Sequence, residues 1–291
     1  MWAAALSAIP RASSTLPVDS RLTREQTDTV VETIGAAVLG VTLTIDELNE
    51  VILTSSDSWA GDLVTPGFQG MWPRWRQALG IAGTRGAVCF GPNRGRKVTY
   101  TSPQRWLPGL RRADPHDALA TILRHYLHAY GPATPQQFAQ WLAAPRPWAT
   151  QLVDSLSDQL EQVDVDGTIA SVIAGDTTFD APPRGVRLLP YFDPYTVDCH
   201  PRHLLFPGRA ADRALSRGQA GNRPALFIDG TIAGIWHHHR SANRLEITVE
   251  PFTPLDTRRR RELDDQAERI GEILEAGYHL GLGAVTVASH A

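Results

Sequence analysis

Residues 89–101 read CFGPNRGRKVTYT, and this stretch decides the fold of the first part of the chain. Short β-prone runs at 87–90 and 98–100 flank polar residues rich in Asn and Gly, a pattern typical of a β-hairpin. The predicted tip carries three cations, Arg94, Arg96 and Lys97. The net charge of the whole chain is −3, so the hairpin tip is positively charged in a chain that is slightly acidic overall.

Three predicted helices precede this hairpin. Thr23 with Gln26, and Thr44 with Glu47, have the spacing of capping boxes at the starts of the first two helices. The third predicted helix covers residues 67–79, where apolar residues that we assign to the core recur at helical spacing: Phe68, Met71, Trp72, Trp75 and Leu79. Three helices followed by a two-stranded wing is the order of a winged helix, whose third helix commonly enters the DNA major groove.

Charge is distributed unevenly around the hairpin. Residues 71–112 contain nine cations and no Asp or Glu, whereas residues 151–180 contain seven carboxylates and no Lys or Arg. A block of cations predicts a surface that binds a polyanion; the alternative is an ordinary solvated surface on which charges cluster. The first interpretation predicts contacts with double-stranded DNA through Arg74, Arg76, Arg94, Arg96 and Lys97.

The same plan recurs at residues 116–176. A helix ends at Gly131-Pro132, a second begins with Thr134 as N-cap and Pro135 at the first helical position, and a third covers residues 146–162. A hairpin that turns at Asp166-Gly167 follows. Because this copy is acidic and would repel phosphate, we interpret it as a scaffold with a possible protein partner.

The last third of the chain changes to strands. Residues 223–252 predict a three-stranded meander with turns at 229–230 and 241–243, followed by a helix at 257–279 and a strand at 284–287. The predicted fold class is α+β, with tandem winged-helix modules followed by a C-terminal antiparallel β-rich subdomain with a long helix. The predicted segments are an irregular one at 1–20, a basic winged helix at 21–112, an acidic winged helix at 113–182 and the β-rich subdomain at 183–291, with Pro182-Pro183 marking the last boundary.

Metal and cofactor sites are not indicated. Adjacent side chains of a strand point to opposite faces, so His237, His238 and His239 do not converge on one ion. The two cysteines, Cys89 and Cys199, lack metal-ligand spacing. We instead predict a second basic tip with DNA contacts at the neighbouring turn, formed by Arg240 and Arg244.

Location follows from what the sequence lacks. No stretch approaches the roughly 18 uncharged apolar residues of a membrane span. The apolar start has no positive n-region and meets Pro10 too soon for a signal peptide. We therefore expect a cytoplasmic, nucleoid-associated protein with no membrane contact.

Three separated motifs carry a family resemblance: RHYLHAYGPATPQQFAQWLA at 124–143, LLPYFDPYTVDCHPRHLLFP at 188–207, and RPALFIDGTIAGIWHHH at 223–239 with ITVEPF at 247–252. They resemble the bacterial DNA-binding proteins with tandem winged helices. That family includes DNA glycosylases that excise bulky alkylated purines and unhook interstrand crosslinks. The resemblance implies a concave basic surface that holds duplex DNA while a β-hairpin probes the groove.

The resemblance also implies a catalytic Gln-x-Gln or Gln-x-Asp pair, which would position water and favour the charge that develops on the sugar. We expect that pair upstream of Met1 and assign no catalytic residue. Gln26-Thr27-Asp28 matches the Gln-x-Asp pattern, but it lies in the first turn of a predicted helix, where Gln26 already has a capping role. The leading hypothesis is a winged-helix DNA-binding protein related to the repair of alkylated or crosslinked DNA that lacks the catalytic pair, either as a shortened paralogue or because the start of the sequence is misplaced. The alternatives are an active DNA glycosylase and a transcriptional regulator or protein-interaction module.

Overall fold

The computed structural model describes residues 1–10, 14–67, 70–111, 113–177 and 183–287. Phe68, Arg112, Asp180 and Pro182 contribute to the predictions above and lie outside these ranges. The chain forms two compact units. Unit 1 comprises residues 1–126 and 142–156, and unit 2 comprises residues 127–141 and 157–291. The four segments predicted from the sequence divide the chain differently, and their boundaries stay a prediction.

The first part of the chain contains short elements around the predicted hairpin. In order they are α1 (Trp2–Ala8), α2 (Arg24–Ala37), β1 (Thr42–Thr44), α3 (Ile45–Ser55), β2 (Leu63–Gly67), β3 (Gly70–Pro73), α4 (Leu79–Thr84), β4 (Cys89–Phe90), β5 (Thr99–Thr101) and α5 (Pro103–Trp106). Short 3-10 helices lie at Val18–Ser20, Ser58–Gly61 and Arg74–Ala78.

The middle and last parts change from helices to one larger sheet. They contain α6 (Pro115–Tyr130), α7 (Pro135–Trp141), α8 (Arg146–Ser155), β6 (Leu160–Val165), β7 (Thr168–Ile173), β8 (Val186–Leu189), α9 (Pro194–Asp198), α10 (Arg202–Leu205), α11 (Arg209–Ala214), β9 (Ala225–Ile228), β10 (Thr231–Ser241), β11 (Arg244–Pro251), α12 (Thr257–Ile273) and β12 (Gly277–Leu282). A further 3-10 helix lies at Ser157–Gln159.

A three-stranded antiparallel sheet, the β2-β3 hairpin and the helices around them lie in unit 1. The strand order is β1-β5-β4, so the strand between α2 and α3 pairs with the second strand of the hairpin. Both predicted capping boxes are confirmed by reciprocal hydrogen bonds, of Thr23 with Gln26 and of Thr44 with Glu47. The core is fully or nearly fully buried and is drawn from α2, α3 and the segment 74–88, including Val30, Ile34, Leu48, Ile52 and Trp75.

The predicted third helix at 67–79 is wrong in its first half. Residues 63–67 and 70–73 form the antiparallel hairpin β2-β3, and helical geometry begins only with the 3-10 helix at Arg74. Pro73 explains the boundary, because a proline forces the residue before it, here Trp72, away from helical backbone angles. Met71 and Trp72 are consequently exposed rather than buried in the core.

The elements predicted at 116–176 are present, with one boundary corrected. Thr134 and Gln137 exchange the predicted capping hydrogen bonds. The hairpin β6-β7 turns at Asp166-Gly167, where both residues have positive φ. The third helix ends at Ser155, earlier than predicted, because the chain turns at 157–159 and then alternates as a strand from Leu160.

A five-stranded sheet with the order β12-β11-β10-β9-β8 dominates unit 2. The predicted meander β9-β10-β11 and both of its turns are confirmed. The predicted helix at 257–279 is too long. It ends at Ile273, and the predicted strand at 284–287 lies instead at Gly277–Leu282. That strand pairs parallel with β11, so the sheet is mixed rather than purely antiparallel. Among the described helices, none is both long and apolar enough to cross a membrane.

Candidate nucleic-acid interface

The loop between β4 and β5 is an ordered turn, which we call the basic tip (residues 91–98). The amide of Arg94 donates to the carbonyl of Lys97 at 2.9 Å, and the amide of Lys97 donates back at 3.1 Å. Gly95 has a φ of 62°, a conformation that glycine adopts without steric cost. The hydroxyl of Thr99 donates to the carbonyl of Pro92 at 2.6 Å. These hydrogen bonds define the shape of the tip.

Carboxylates of α3 partly neutralise the tip. Arg94 donates to Glu47 at 2.7 Å and to the carbonyl of Thr42 at 2.6 Å. Lys97 lies 3.1 Å from Asp46. Among the described residues Arg96, which is exposed, has no carboxylate partner. Arg96 is thus the cation of the tip that is available to a ligand without breaking an ion pair.

Glu47 stays charged over the whole physiological range. The backbone amide of Thr44 and the Arg94 guanidinium lower the pKa of Glu47 to about 2. Glu47 therefore serves two purposes, since its carboxylate caps α3 and pairs with the tip. Side-chain exposures of 52% for Arg94 and 42% for Glu47 make this an open ion pair. Such pairs contribute little free energy, so a phosphate can displace the carboxylate.

Arg74 and Arg76 are two residues apart, but their guanidinium groups have different partners. Arg74 has a side chain only 14% exposed, and it bonds the carbonyl of Asp19 at 2.6 Å and the carboxylate of Asp62 at 3.0 Å. It therefore links the segment around Asp19 to Asp62 within unit 1 and is largely shielded from solvent. The Arg76 guanidinium lies 4.5 Å from the ring centroid of Trp72 and, within the described chain, has no carboxylate partner.

The predicted second basic tip lies in unit 2 at the turn between β10 and β11. Arg240 donates to the carbonyl of Ala242 at 3.1 Å, and Arg244 pairs with Glu246 at 2.8 Å. Both arginines are exposed. The turn is therefore basic, although one of its two cations is already paired.

The three consecutive histidines of β10 point to alternating faces of the strand. His238 stacks on Trp236 with ring centroids 5.6 Å apart. Burial lowers the pKa of His238, and the neighbouring His237 and His239 lower it further. Within the described residues, no three His, Cys, Asp or Glu side chains are grouped to hold a metal ion. His238 therefore packs as an aromatic ring against Trp236.

The Gln26-Thr27-Asp28 triplet is occupied by structural contacts. The Gln26 side chain accepts from the amide of Thr23 at 2.9 Å, as the capping box requires. Asp28 pairs with Arg85 at 2.5 Å. Neither side chain is free to position water, so neither is assigned a catalytic role.

An aromatic surface that was not predicted from the sequence lies next to the basic tip. Trp72, Phe90 and Trp106 are 38%, 69% and 53% exposed, respectively. The Trp106 indole donates to the carbonyl of Phe90 at 3.0 Å. The available signal was that aromatic residues alternate with cations throughout 71–112, which is typical of surfaces that bind both phosphates and bases.

Comparison with known proteins identifies the family. A model described as DNA glycosylase AlkZ-like matches residues 1–273. The chain belongs to the AlkZ-like DNA glycosylase family. An interstrand DNA cross-link repair glycosylase from Streptomyces sahachiroi is 31% identical over 245 residues. That match covers 80% of this chain and 62% of the relative, so this chain spans less than two thirds of the relative's length.

A solved AlkZ-like structure has the same fold. The DNA glycosylase AlkZ of Streptomyces sahachiroi superimposes with a TM-score of 0.74 at 26% sequence identity. The superposition covers 98% of this chain and 75% of that chain. The family resemblance and the mixed α and β fold expected from the sequence are thereby confirmed, whereas the winged-helix assignment and a missing catalytic segment stay predictions.

Proposed function

We propose that this AlkZ-like protein binds double-stranded DNA and acts in the repair of alkylated or crosslinked DNA, with the basic tip at the centre of its DNA surface. The observation that carries the proposal is the carboxylate-free block at 71–112. In the described part of that block, four arginines have no carboxylate partner: Arg76, Arg96, Arg105 and Arg111. Cations without acid partners are the expected footprint of a phosphate-binding surface.

The topology of unit 1 supports a winged-helix interpretation. The order α2, β1, α3, α4, β4, β5 and the sheet order β1-β5-β4 are those of a winged helix, with the basic tip as its wing. Arg76 would then lie on the third helical segment, which is a 3-10 helix continued by α4. In this interpretation the wing and the third helical segment contact the same duplex.

The proposed surface differs from the residues chosen by sequence. Arg74 is excluded, because its guanidinium is engaged by Asp19 and Asp62. Arg94 and Lys97 remain, since their exposed carboxylate partners can be exchanged for phosphate. Arg240 and Arg244 remain a separate proposal for unit 2, as a second contact at the turn of β10 and β11.

Salt-dependent binding tests the proposal. The full chain is titrated into a fluorescent duplex at several salt concentrations, and about four to five neutralised phosphates give a log–log slope of about −4. Arg96→Ala should reduce the magnitude of the slope by about 1. Arg146→Ala is the matched control, because Arg146 is exposed in the same unit but outside the cation block. Absence of binding at low salt would remove the proposal.

A second candidate function is excision of alkylated or crosslinked bases by this chain. Family membership over residues 1–273 favours it, since a relative is described as an interstrand DNA cross-link repair glycosylase. The purified chain is incubated with alkylated duplex, and abasic sites are counted. Formation above the buffer control supports catalysis, and formation equal to that control rejects it.

The partner and location follow from the same proposal. DNA as the partner implies a nucleoid location. The acidic β6-β7 hairpin carries Glu161, Asp164 and Asp166, which would repel DNA, so we do not place it on the DNA surface. A protein partner for the acidic second winged helix predicted at 113–182 stays a prediction.

A further inference from the structure

An open, apolar cavity of about 390 Å³ lies in unit 1 beside the basic tip. We call it the aromatic pocket. It is lined by side chains of β3, the 3-10 helix, α4 and the β4-β5 sheet, chiefly Trp72, Arg76, Leu79, Val88, Phe90 and Tyr100. Its volume falls in the range of sites that bind small organic molecules, which is about 300–1,000 Å³. The pocket is therefore large enough for a planar ring system.

Two features leave aromatic rings uncovered at the pocket. Phe90 is 69% exposed, and its ring lies 5.7 Å from that of Tyr100. Trp72 is 38% exposed. Large aromatic side chains clustered at a surface are a mark of binding sites, since burial elsewhere would stabilise the fold more. The exposed ring of Phe90 thus offers a face on which another flat, apolar group can stack.

The pocket is kept open by absent side chains. A Cβ built at Gly80 or Gly83 of α4 would meet no atom within 4 Å. Glycine within a helix is unfavourable relative to alanine. These two glycines therefore make α4 less stable but leave the space beside it open. At Gly67 the reverse holds, because a Cβ there would overlap the indole ring of Trp72. The ring of Trp72 therefore packs directly on the backbone of β2, which fixes its position.

The positive charge at the pocket indicates which class of aromatic ligand it suits. The Arg76 guanidinium lies 4.5 Å from the centroid of Trp72 and has, in the described structure, no carboxylate partner. Its donors are free to bond an anion, and arginine is suited to bidentate contact with phosphate. Aromatic faces beside an arginine fit a nucleotide, whose base stacks while its phosphate is bound.

The pocket also borders the basic tip, which is the proposed DNA contact. Phe90 is the residue that leads into the basic tip, and Gly91 hydrogen-bonds Thr99 across the base of that tip at 2.9 Å. A phosphate held by Arg96 would therefore be close in the chain to a ring that can stack. Bases inside an intact duplex have both faces covered by their neighbours, so only an unpaired base can enter.

We propose that the aromatic pocket receives one unpaired nucleobase of bound DNA, stacked against Phe90 with its phosphate near Arg76. The occupant is a bulged, extruded or single-stranded base, accepted with little sequence preference because every base has a π-face. This inference rests on the proposed DNA binding and extends it from duplex phosphates to a site for one base.

The test uses two duplexes of the same length, one fully paired and one with a single bulged 2-aminopurine. The full chain should bind the bulged duplex more tightly and change the 2-aminopurine fluorescence. Phe90→Ala should weaken binding to the bulged duplex by about tenfold, the usual size of a lost base stack, and leave the paired duplex unchanged. Phe192→Ala is the matched control, because Phe192 is also exposed but belongs to unit 2.

A filling variant tests the pocket without removing any contact. Gly80→Leu places a side chain in the open space, and it should abolish the preference for the bulged duplex while the melting temperature stays equal or rises. Arg96→Ala should instead weaken binding to both duplexes by the same factor. If both pocket variants keep the preference, the pocket has another occupant and the inference is overturned while DNA binding stands.

The inference is also measured independently of duplex binding. A pentanucleotide with a central 2-aminopurine has only unpaired bases, and the wild-type chain should change its fluorescence in a way that Phe90→Ala and Gly80→Leu remove. If neither duplex binds but this signal is present, the proposed function fails and the base site stands. If the pentanucleotide gives no signal and the bulge gives no preference, the base site is rejected.

Discussion

Single residues separate cations that hold the fold from cations that can reach a ligand. Arg74 and Arg96 belong to the same carboxylate-free block, yet Arg74 has a side chain 14% exposed and Arg96 is exposed. The sequence shows the charge of each residue but not its neighbours, because the partners of Arg74 lie 12 and 55 residues away. A charge count therefore identifies the block, whereas the contribution of Arg74 depends on partners that the count does not show.

Substitution of these two arginines should have opposite effects. Arg74→Ala leaves Asp62 and the carbonyl of Asp19 without their partner, so we expect a loss of about 1–3 kcal/mol in unfolding free energy. Arg96→Ala should change stability by less than about 0.5 kcal/mol and weaken DNA binding. Urea denaturation and fluorescence anisotropy measure the two effects. A stable Arg74→Ala protein that has lost DNA binding would show that Arg74 contacts DNA after all.

Glu250 is the buried carboxylate on which the end of the chain depends. It is 7% exposed, accepts from Arg213 at 3.0 and 2.6 Å, and accepts from the amide of Val285 at 2.9 Å. The Arg213 contacts and the amide of Val285 lower its pKa below the ordinary value of 4.5. We expect Glu250→Ala to cost about 3 kcal/mol, because Arg213 loses its buried partner.

The pH dependence of that contribution has a definite sign. Since the folded-state pKa of Glu250 is depressed, its stabilisation is complete above about pH 4.5 and is lost as the pH falls toward the folded-state pKa. Denaturation of wild type and Glu250→Ala at pH 7 and pH 3 should therefore give a smaller difference at pH 3. Glu246→Ala is the control, since Glu246 is 44% exposed and its pair with Arg244 should contribute less than about 1 kcal/mol.

At the scale of elements, the sheet requires glycine where neighbouring atoms lie too close to leave room for a Cβ atom. Gly234 sits at the register shift between β9 and β10, and a Cβ there would lie 2.5 Å from the carbonyl oxygen of Glu250 and 2.9 Å from Leu226. Gly234→Ala should destabilise the sheet by about 1–3 kcal/mol. Gly281→Ala in β12 is the matched control, because its nearest neighbour would be 4.0 Å away. Equal denaturation midpoints for the two variants would contradict the packing described for β10.

Elements with local signals were predicted well, and those set by distant partners were not. The capping boxes of α2 and α3 and the turn at Asp166-Gly167 depend on residues three or fewer positions apart. By contrast, the parallel pairing of β12 with β11 joins Arg244 to Gly277, across a helix. Local residue propensities do not indicate a pairing between strands this far apart in sequence. The helix predicted from the sequence therefore continued past the true end of α12.

The β2-β3 hairpin was missed for a different reason. Met71, Trp72 and Trp75 recur at helical spacing, but Pro73 interrupts them, and proline is incompatible with a helix interior. The exposed Trp72 and the aromatic pocket follow directly from that interruption. A helix over 67–79 would have buried Trp72 in the core, so the error in the element and the missed site have one cause.

At the scale of the whole molecule, family membership and local chemistry point to DNA. The chain matches the AlkZ-like DNA glycosylase family over most of its length, and unit 1 concentrates cations where carboxylates are absent. Unit 2 carries a second basic turn, with Arg240 and Arg244, and the acidic β6-β7 hairpin. This distribution predicts that contact with DNA is confined to particular loops rather than spread over the surface.

Hydrogen exchange of the full chain, with and without a duplex at low salt, tests the location of that contact most directly. DNA binding through the basic tip should slow amide exchange in peptides that cover residues 89–101 and leave those covering the acidic strands at 160–173 unchanged. The same protection should be reduced in the Arg96→Ala protein. Protection of residues 160–173 without protection of 89–101 would contradict the central claim.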